Sequence, residues 1–355
     1  MNPEFWRGRR VLVTGHTGFK GAWLSFWLAE MGAQVSGLAL PPATDPNLFD
    51  ILGLSSRCRS VSADINDRAA LDALIATEKP EIVLHLAAQA LVRPSYITPV
   101  ETFATNVLGT VNLLDALRAC PETRAVVVVT SDKVYENLEQ QKGYAEADRV
   151  GGYDPYSASK GCTEIATASM RRSFFGAGQH PARIATVRAG NVIGGGDWSV
   201  DRLVPDIVRG CLSGDGVVRL RNPQAVRPWQ HVLEPLRAYL MLAERLVEAP
   251  SGFEEAWNIG PDDTAGHPVE TVARALVGAL GQGRIELTPD AAAPHEAGLL
   301  TLDSTKARTR LGWQPNLDFN LTILLTIDWY AAWYRGEDMT VFTRNQIAKA
   351  VLGTK

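Results

Sequence analysis

Tyr156 and Lys160 stand four residues apart in Asp154-Pro155-Tyr156-Ser157-Ala158-Ser159-Lys160, at the expected start of a helix. That spacing stacks both side chains on one face. An ammonium beside a phenol stabilises the phenolate, so Tyr156 would exchange a proton with an alcohol hydroxyl well below its unperturbed pKa of about 10. Alcohol oxidation is the chemistry such a base suits. Taken alone, the pair also fits a half-buried tyrosine beside a solvated lysine, so everything turns on the elements that position it.

Two upstream segments bear on this. In Val11-Leu12-Val13-Thr14-Gly15-His16-Thr17-Gly18-Phe19-Lys20-Gly21 a short apolar strand runs into glycines spaced three and three, and a helical stretch from Ala22 to Met31 follows. Strand, glycine turn and helix in that order make a phosphate cradle. Glycine permits the sharp turn and the close backbone approach, and the helix N-terminus offers free N–H groups and a favourable dipole. A tight turn without a ligand is the alternative. The second segment, Val126-Val127-Val128-Val129-Thr130-Ser131-Asp132-Lys133-Val134-Tyr135, sets its polar residues at the C-terminal end of a buried strand. Ligands of open parallel sheets bind at that end, so Ser131, Asp132 and Lys133 are expected to face the cleft with Tyr156. A solvated Asp-Lys loop pair is the plainer reading of the same residues.

The surrounding pattern predicts the scaffold. Strand-like runs at Arg10 to Thr14, Gln34 to Leu40, Ile82 to Leu86, Ala125 to Thr130 and Arg183 to Arg188 alternate with helical ones at Asp67 to Thr77, Thr102 to Ala119 and Tyr156 to Phe174. Such alternation predicts an α/β fold, a Rossmann doubly wound parallel sheet with helices on both faces. After about Asn191 glycine and proline punctuation suggests a smaller C-terminal lobe. The expected division is a dinucleotide-binding domain over 1–190, a returning segment around 224–262 with a strand near Trp257 to Ile259, and a partly interleaved substrate lobe over 191–355.

Composition narrows the function classes. The 355-residue chain is 46% hydrophobic and 21% charged with a net charge of −4, which gives no electrostatic case for nucleic acid or an anionic membrane. Apolar segments such as Ala22 to Ala29 and Leu321 to Ile327 are too short to span a bilayer. Cys58, Cys120, Cys162 and Cys211 are scattered without zinc-ligand spacing, so no metal is expected and reduced thiols in a cytoplasmic protein are the simplest account.

At the cofactor end, the second strand finishes in Leu38-Ala39-Leu40-Pro41 rather than in the acidic residue that usually meets the adenosine ribose. No arginine stands there for a 2′-phosphate either, which favours NAD over NADP, although Arg57 and Arg59 are near in sequence. Asp64, followed by Ile65, is placed to accept from the adenine amino group or to cap a helix. Leu86, Ala87, Ala88 and Gln89 end the fourth strand with small residues that would let the dinucleotide lie against the backbone. In the second lobe Arg219, Arg221 and Arg227 match phosphate geometry, with solvated charges as the alternative for the first two. His295 and Glu296 either line a nucleotide pocket or lie in an exposed loop.

With these residues in view the chain resembles the extended short-chain dehydrogenase/reductase family, and within it the nucleotide-sugar 4,6-dehydratases. The resemblance rests on Thr14 to Gly21, Ser131 to Tyr135, Tyr156 to Lys160, Gly194 to Trp198, Arg227-Pro228-Trp229-Gln230-His231-Val232 and Leu311-Gly312-Trp313-Gln314-Pro315. Many relatives carry Asp-Glu after the serine or threonine. Lys133 in the second place resembles the CDP-glucose branch. The resemblance implies a bound NAD and an internal redox cycle. Tyr156 takes the C4 hydroxyl proton, with Ser131 orienting the sugar and Lys160 tuning Tyr156 and holding the nicotinamide ribose. Asp132 acts on the C6 hydroxyl and Lys133 on the C5 proton. It also implies Asn106 as a cofactor contact, Asn191, Arg202 and Arg227 as substrate contacts, and a homodimer or dimer-based tetramer built on helices Thr102 to Ala119 and Tyr156 to Phe174. A 4-epimerase or a UDP-glucuronate decarboxylase shares Ser131, Tyr156 and Lys160, but neither needs an acid/base pair after the serine. A dinucleotide sensor without turnover would tend to lose the tyrosine and lysine.

Overall fold

Val126 to Val129 read as apolar on both faces, and they occupy the middle of the sheet. In the computed structural model, which describes residues 1–352 apart from 177, 213, 250, 262–265 and 289–296, seven strands form one sheet. They are β1 (Arg10–Thr14), β2 (Gln34–Ala39), β3 (Arg59–Ser62), β4 (Ile82–His85), β5 (Ala125–Val129), β6 (Arg183–Ala189) and β7 (Ala256–Ile259), ordered β7-β6-β5-β4-β1-β2-β3. Every neighbouring pair is parallel. This is the expected Rossmann architecture, with β7 returning beside β6 from far along the chain.

Alternation along the strands splits the core in two. Val11, Val13, Leu84, Val127 and Val187 face one apolar cluster, and Leu12, Val83, Val126, Val128 and Ile184 face the other. Helices α1 (Phe19–Glu30) and α5 (Leu233–Glu248) help cover the first face; α2 (Arg68–Glu78) and α3 (Gly109–Leu117) cover the second. Helix α4 (Pro155–Phe174) packs beside α3 and carries the Tyr-Lys pair. The polar edge strand β3 is largely exposed, as an outermost strand can be.

The helix expected over Thr102 to Ala119 is interrupted. A short helix at Pro99–Phe103 passes into a π-helical turn at Ala104–Leu108 before α3 begins. The carbonyl of Asn106 accepts from the hydroxyls of Thr110 and Thr163, and these insertions accompany the widened turn. Beyond β6 the chain forms two-stranded ladders, including Val192–Ile193 with Gln230–His231 and Val226–Arg227 with His267–Pro268. Among the described residues no helix is long and apolar enough to cross a membrane.

Candidate active site

The order of the sheet reverses direction between β1 and β4, and the loops leaving those two strands meet at the crevice this creates. Gly15 adopts φ 74°, and a Cβ on it would lie 2.7 Å from the Ala87 nitrogen, so only glycine lets the two loops touch. A Cβ on Gly21 would sit 2.0 Å from the Gly15 carbonyl oxygen, which locks α1 onto the turn. Gly18 caps α1 with no side-chain hydrogen bond, and a Cβ there would meet nothing nearer than 3.5 Å. The turn before α1 is therefore uncrowded at Gly18, while Gly15 packs against Ala87. An open glycine turn, uncapped amides and small neighbours fit a dinucleotide diphosphate.

Polar residues brace this cradle from beneath. Thr14 Oγ1 bonds His85 Nδ1 at 2.6 Å and accepts from the Ala87 N–H at 3.2 Å, while His85 Nε2 meets Thr110 Oγ1 at 3.0 Å. Burial drives the His85 pKa down to about 3, with Lys160 adding to it, so the ring is a neutral brace. Asn106 Oδ1 accepts from the Gln89 N–H at 2.8 Å, and its Nδ2 donates to the Gln89 carbonyl and to Ser159 Oγ. Asn106 thus ties the loop after β4 to α4. The Gln89 side chain is committed to Leu91 and Thr102. Thr17 Oγ1 donates to the Leu40 carbonyl at 2.8 Å, Phe19 packs against the core, and Leu86 continues the β1–β4 ladder through Thr14. Asp64 is exposed and receives the Asn66 N–H, whereas the Ile65 side chain is packed against Gly109 in the core. Arg57 and Arg59 are held by Glu30 and Glu78.

At the catalytic end, Asp154 caps α4 by accepting from the Ser157 N–H (2.9 Å) and hydroxyl (2.5 Å), and Pro155 opens the helix. The Tyr156 N–H, one of the amides a helix start leaves unpaired, donates to Ser95 Oγ at 3.1 Å. Lys160 Nζ donates to the Val129 carbonyl at 3.2 Å. Burial outweighs the expected depression of the phenol, and the charges that act on it are those of Asp132, Arg202 and Asp154. Burial pushes the Tyr156 phenol up to about 12, against the opposing pull of its hydrogen bond with Ser131. Lys160 itself is pushed down to about 7, by burial first and by the neighbouring Lys20 second. Lys20, beside Arg202 and Asp132, falls to about 8 for the same leading reason. Arg202 and Asp132 thus act on both Tyr156 and Lys20, and Lys20 in turn acts on Lys160.

Ser131 follows β5 by two residues and caps a short 3₁₀ turn, Asp132–Val134. Its hydroxyl donates to Asp132 Oδ1 at 2.9 Å, and Lys133 Nζ lies 3.7 Å from the same oxygen. Asp132 is fully buried, yet its Oδ2 has no protein partner. A buried carboxylate oxygen without a donor is costly, which sets Asp132 apart as a candidate site residue. Gly190 makes room for it: a Cβ there would fall 1.8 Å from Oδ2. Next to it, Asn191 sits at φ 37° with its Oδ1 buried and unpartnered.

The expected substrate residues divide. Arg202 donates to Asp197 Oδ2 at 3.0 Å and its charge acts on both Tyr156 and Lys20, which brings it to the cleft. The Arg227 guanidinium is buried and donates to the carbonyls of Val226, Ala297 and Gly298, bracing the neighbouring loop. Arg219 does not join the cluster. Strand alternation turns it outward, where it pairs with Asp215 at 2.9 Å. His295 and Glu296 lie outside the described residues. The remaining motifs support the site from behind. Gln230 of the Arg-Pro-Trp-Gln-His-Val run donates to the Gly190 and Ile259 carbonyls, and its N–H meets the Asn191 carbonyl. Trp313 is buried and donates to the Glu234 carbonyl.

Several residues escaped the sequence reading. Glu164 is buried under the strand ends, accepting from Thr130 (2.5 Å), Thr186 (2.6 Å) and Arg188 (3.1 Å). Its position four residues after Lys160, on the same helix face, was a readable signal. For Gly190 and Ser95 no sequence signal existed.

The model of the family described as GDP-mannose 4,6 dehydratase matches residues 12–325. The chain belongs to that family. It is 48% identical over its whole length to a CDP-glucose 4,6-dehydratase of Salmonella typhimurium, covering 99% of that protein. Among solved structures, the family fold recurs in a dTDP-glucose 4,6-dehydratase of Bacillus anthracis (TM-score 0.77, 21% identity, 93% of this chain and 99% of that one). It recurs also in MoeE5 in complex with UDP-glucuronic acid and NAD (TM-score 0.75, 25% identity, 91% and 99%).

Proposed function

We propose that this protein is a CDP-glucose 4,6-dehydratase that converts CDP-D-glucose to CDP-4-keto-6-deoxy-D-glucose and water. The carrying observation is the Asp132 carboxylate, buried beside Tyr156's partner Ser131 with one oxygen unpartnered, combined with the full-length likeness to the Salmonella enzyme. A 4-epimerase has no use for an acid at that point.

The glycine turn, the α1 amides and Lys160 would hold NAD, the cofactor bound in MoeE5. Bound NAD would supply a reversible hydride acceptor for oxidation at C4 and reduction at C6. Tyr156 receives the C4 hydroxyl proton, with Ser131 hydrogen-bonded to both phenol and sugar. Arg202, whose charge pulls the phenol toward its ionised form, favours the phenolate that accepts this proton. Once C4 is a ketone, the C5–H is acidic. Lys133 as the neutral amine accepts the C5 proton, and Asp132 in its protonated form gives a proton from Oδ2 to the C6 hydroxyl, which departs as water. Asn191 and Arg202 hold the sugar and the diphosphate end. On this reading Arg227 acts on the substrate through the loop it braces.

Exposed Ile97, Val100, Leu108 and Ile165, apolar and close to the π turn and α4, support a homodimer packed through these helices, alone or as half of a tetramer. The free cysteines fit a cytoplasmic setting. The test is incubation with CDP-glucose, UDP-glucose, dTDP-glucose and UDP-glucuronate with and without NAD, with products weighed by mass spectrometry. Loss of one water from CDP-glucose with no net reduction of the cofactor is expected. An isomer of unchanged mass, or loss of carbon dioxide, would overturn the proposal.

A further inference from the structure

Gln230 is buried, and its side chain reaches across the end of the central sheet. Strands β6 and β7 pair in register up to Ala189 and Ile259. Where that ladder stops, Gln230 Nε2 donates to the Ile259 carbonyl at 2.9 Å and to the Gly190 carbonyl at 3.2 Å. The Gln230 N–H donates to the Asn191 carbonyl at 3.2 Å, so one residue holds both Gly190 and the left-handed Asn191. The amide can face only one way, because turning it over would set Oε1 against two carbonyl oxygens. In this orientation Oε1 is buried without a protein partner.

Gly190 in turn touches the Asp132 carboxylate, since a Cβ on it would fall 1.8 Å from Oδ2. That carboxylate is tethered through one oxygen. Oδ1 accepts from Ser131, whereas Oδ2 has no hydrogen bond to direct it. Contact with the Gly190 backbone therefore limits how far Oδ2 can swing, and Gln230 fixes where that backbone stands. We infer that Gln230 is a positioning residue for the elimination step: by pinning the Gly190 carbonyl it keeps Asp132 Oδ2 in place to act on the C6 hydroxyl. The inference rests on the proposed function and concerns one step of it. Among the described residues the hydrogen-bond partners of Gln230 include neither Tyr156 nor Ser131, so oxidation at C4 is largely spared.

A single turnover of CDP-glucose on the NAD-loaded enzyme tests this, with the absorbance of reduced cofactor followed and quenched samples weighed by mass spectrometry. Gln230→Met keeps the length of the side chain and removes both side-chain donations. Elimination should slow about tenfold, the equivalent of one lost hydrogen bond. Reduced cofactor then builds up, a sugar nucleotide two hydrogens lighter is trapped, and KM is unchanged. The matched control is Gln346→Met in the C-terminal helix Met339–Leu352, another buried glutamine whose Nε2 donates to a carbonyl (Leu325, 2.7 Å) and whose Oε1 is unpartnered. It should lower Tm to a similar degree without any build-up. Gln230→Asn, a smaller change at the same place, gives the same readout at lower amplitude should Gln230→Met fail to fold. Oxidation and elimination slowed in equal proportion would mark Gln230 as a purely structural brace and overturn the inference. Wild-type partitioning in the Gln230 variants, or the same build-up in Gln346→Met, would overturn it too. If the wild type removes no water from CDP-glucose, the proposed function fails instead.

Discussion

Replacing Gly190 with alanine separates elimination from oxidation. Gly190 has no left-handed φ, so the backbone tolerates a side chain and the whole effect comes from space. The new Cβ would lie 1.8 Å from Asp132 Oδ2 and 2.3 Å from Cγ. Ordinary contact is about 3.5 Å, so the carboxylate has to retreat by about 1.5 Å. Overpacking of this kind costs about 1–3 kcal/mol of stability, whereas a 1 Å displacement of a catalytic group costs about a hundredfold in rate. Tyr156 lies on α4, whereas Ser131 donates to the displaced carboxylate, so oxidation is expected to slow, but far less than elimination. The expected result is a folded protein with a modestly lowered Tm, unchanged KM, and water loss slowed about a hundredfold. Under single turnover the sugar nucleotide should be found two hydrogens lighter, as a stalled 4-ketone, rather than lighter by water. Adding Gly190→Ala to Asp132→Asn should cost little more, since both act on one carboxylate. Water loss at near wild-type rate, or equal loss of C4 oxidation, would refute the reasoning.

Glu164→Gln leaves Arg188 buried without its counter-charge and should destabilise the protein by about 3–5 kcal/mol in denaturant titration. Lys160, near 7 in the folded protein against 10.5 when unfolded, makes the unfolded state bind more protons between those values. The ligand-free protein should therefore gain stability as pH rises from about 7 toward 10, and Lys160→Met should flatten part of that rise in Tm. His85 and His231, each held neutral down to about 3, should cost stability as pH falls below 6.5, seen as a falling Tm on the acid side. With Arg57 and Arg59 committed to Glu30 and Glu78, NADP should bind far more weakly than NAD in a fluorescence titration.

The strands of the central sheet and the Tyr156–Lys160 face were legible because hydrophobic period and helical spacing are local properties of the chain. The glycine turn was legible for the same reason, since strand, glycines and helix are consecutive. What stayed hidden depends on contacts between distant residues. The π turn at Ala104–Leu108 arises from Thr163, more than fifty positions away, reaching Asn106. Arg219 and Arg221 looked like Arg227 in sequence, and only the fold, which pairs them at the surface with Asp215 and Asp201, tells them apart from it. The Tyr156 phenol is pushed up rather than down because helical spacing says nothing of burial, and burial is the larger influence on both Tyr156 and Lys160.

The most direct measurement uses CDP-glucose deuterated at C4. If the C4 hydride is taken and returned at C6 within one active site, as the proposed cycle requires, the dehydrated product carries the deuterium at C6. Deuterium still at C4 of an isomer, or a dehydrated product without the label, would contradict the account.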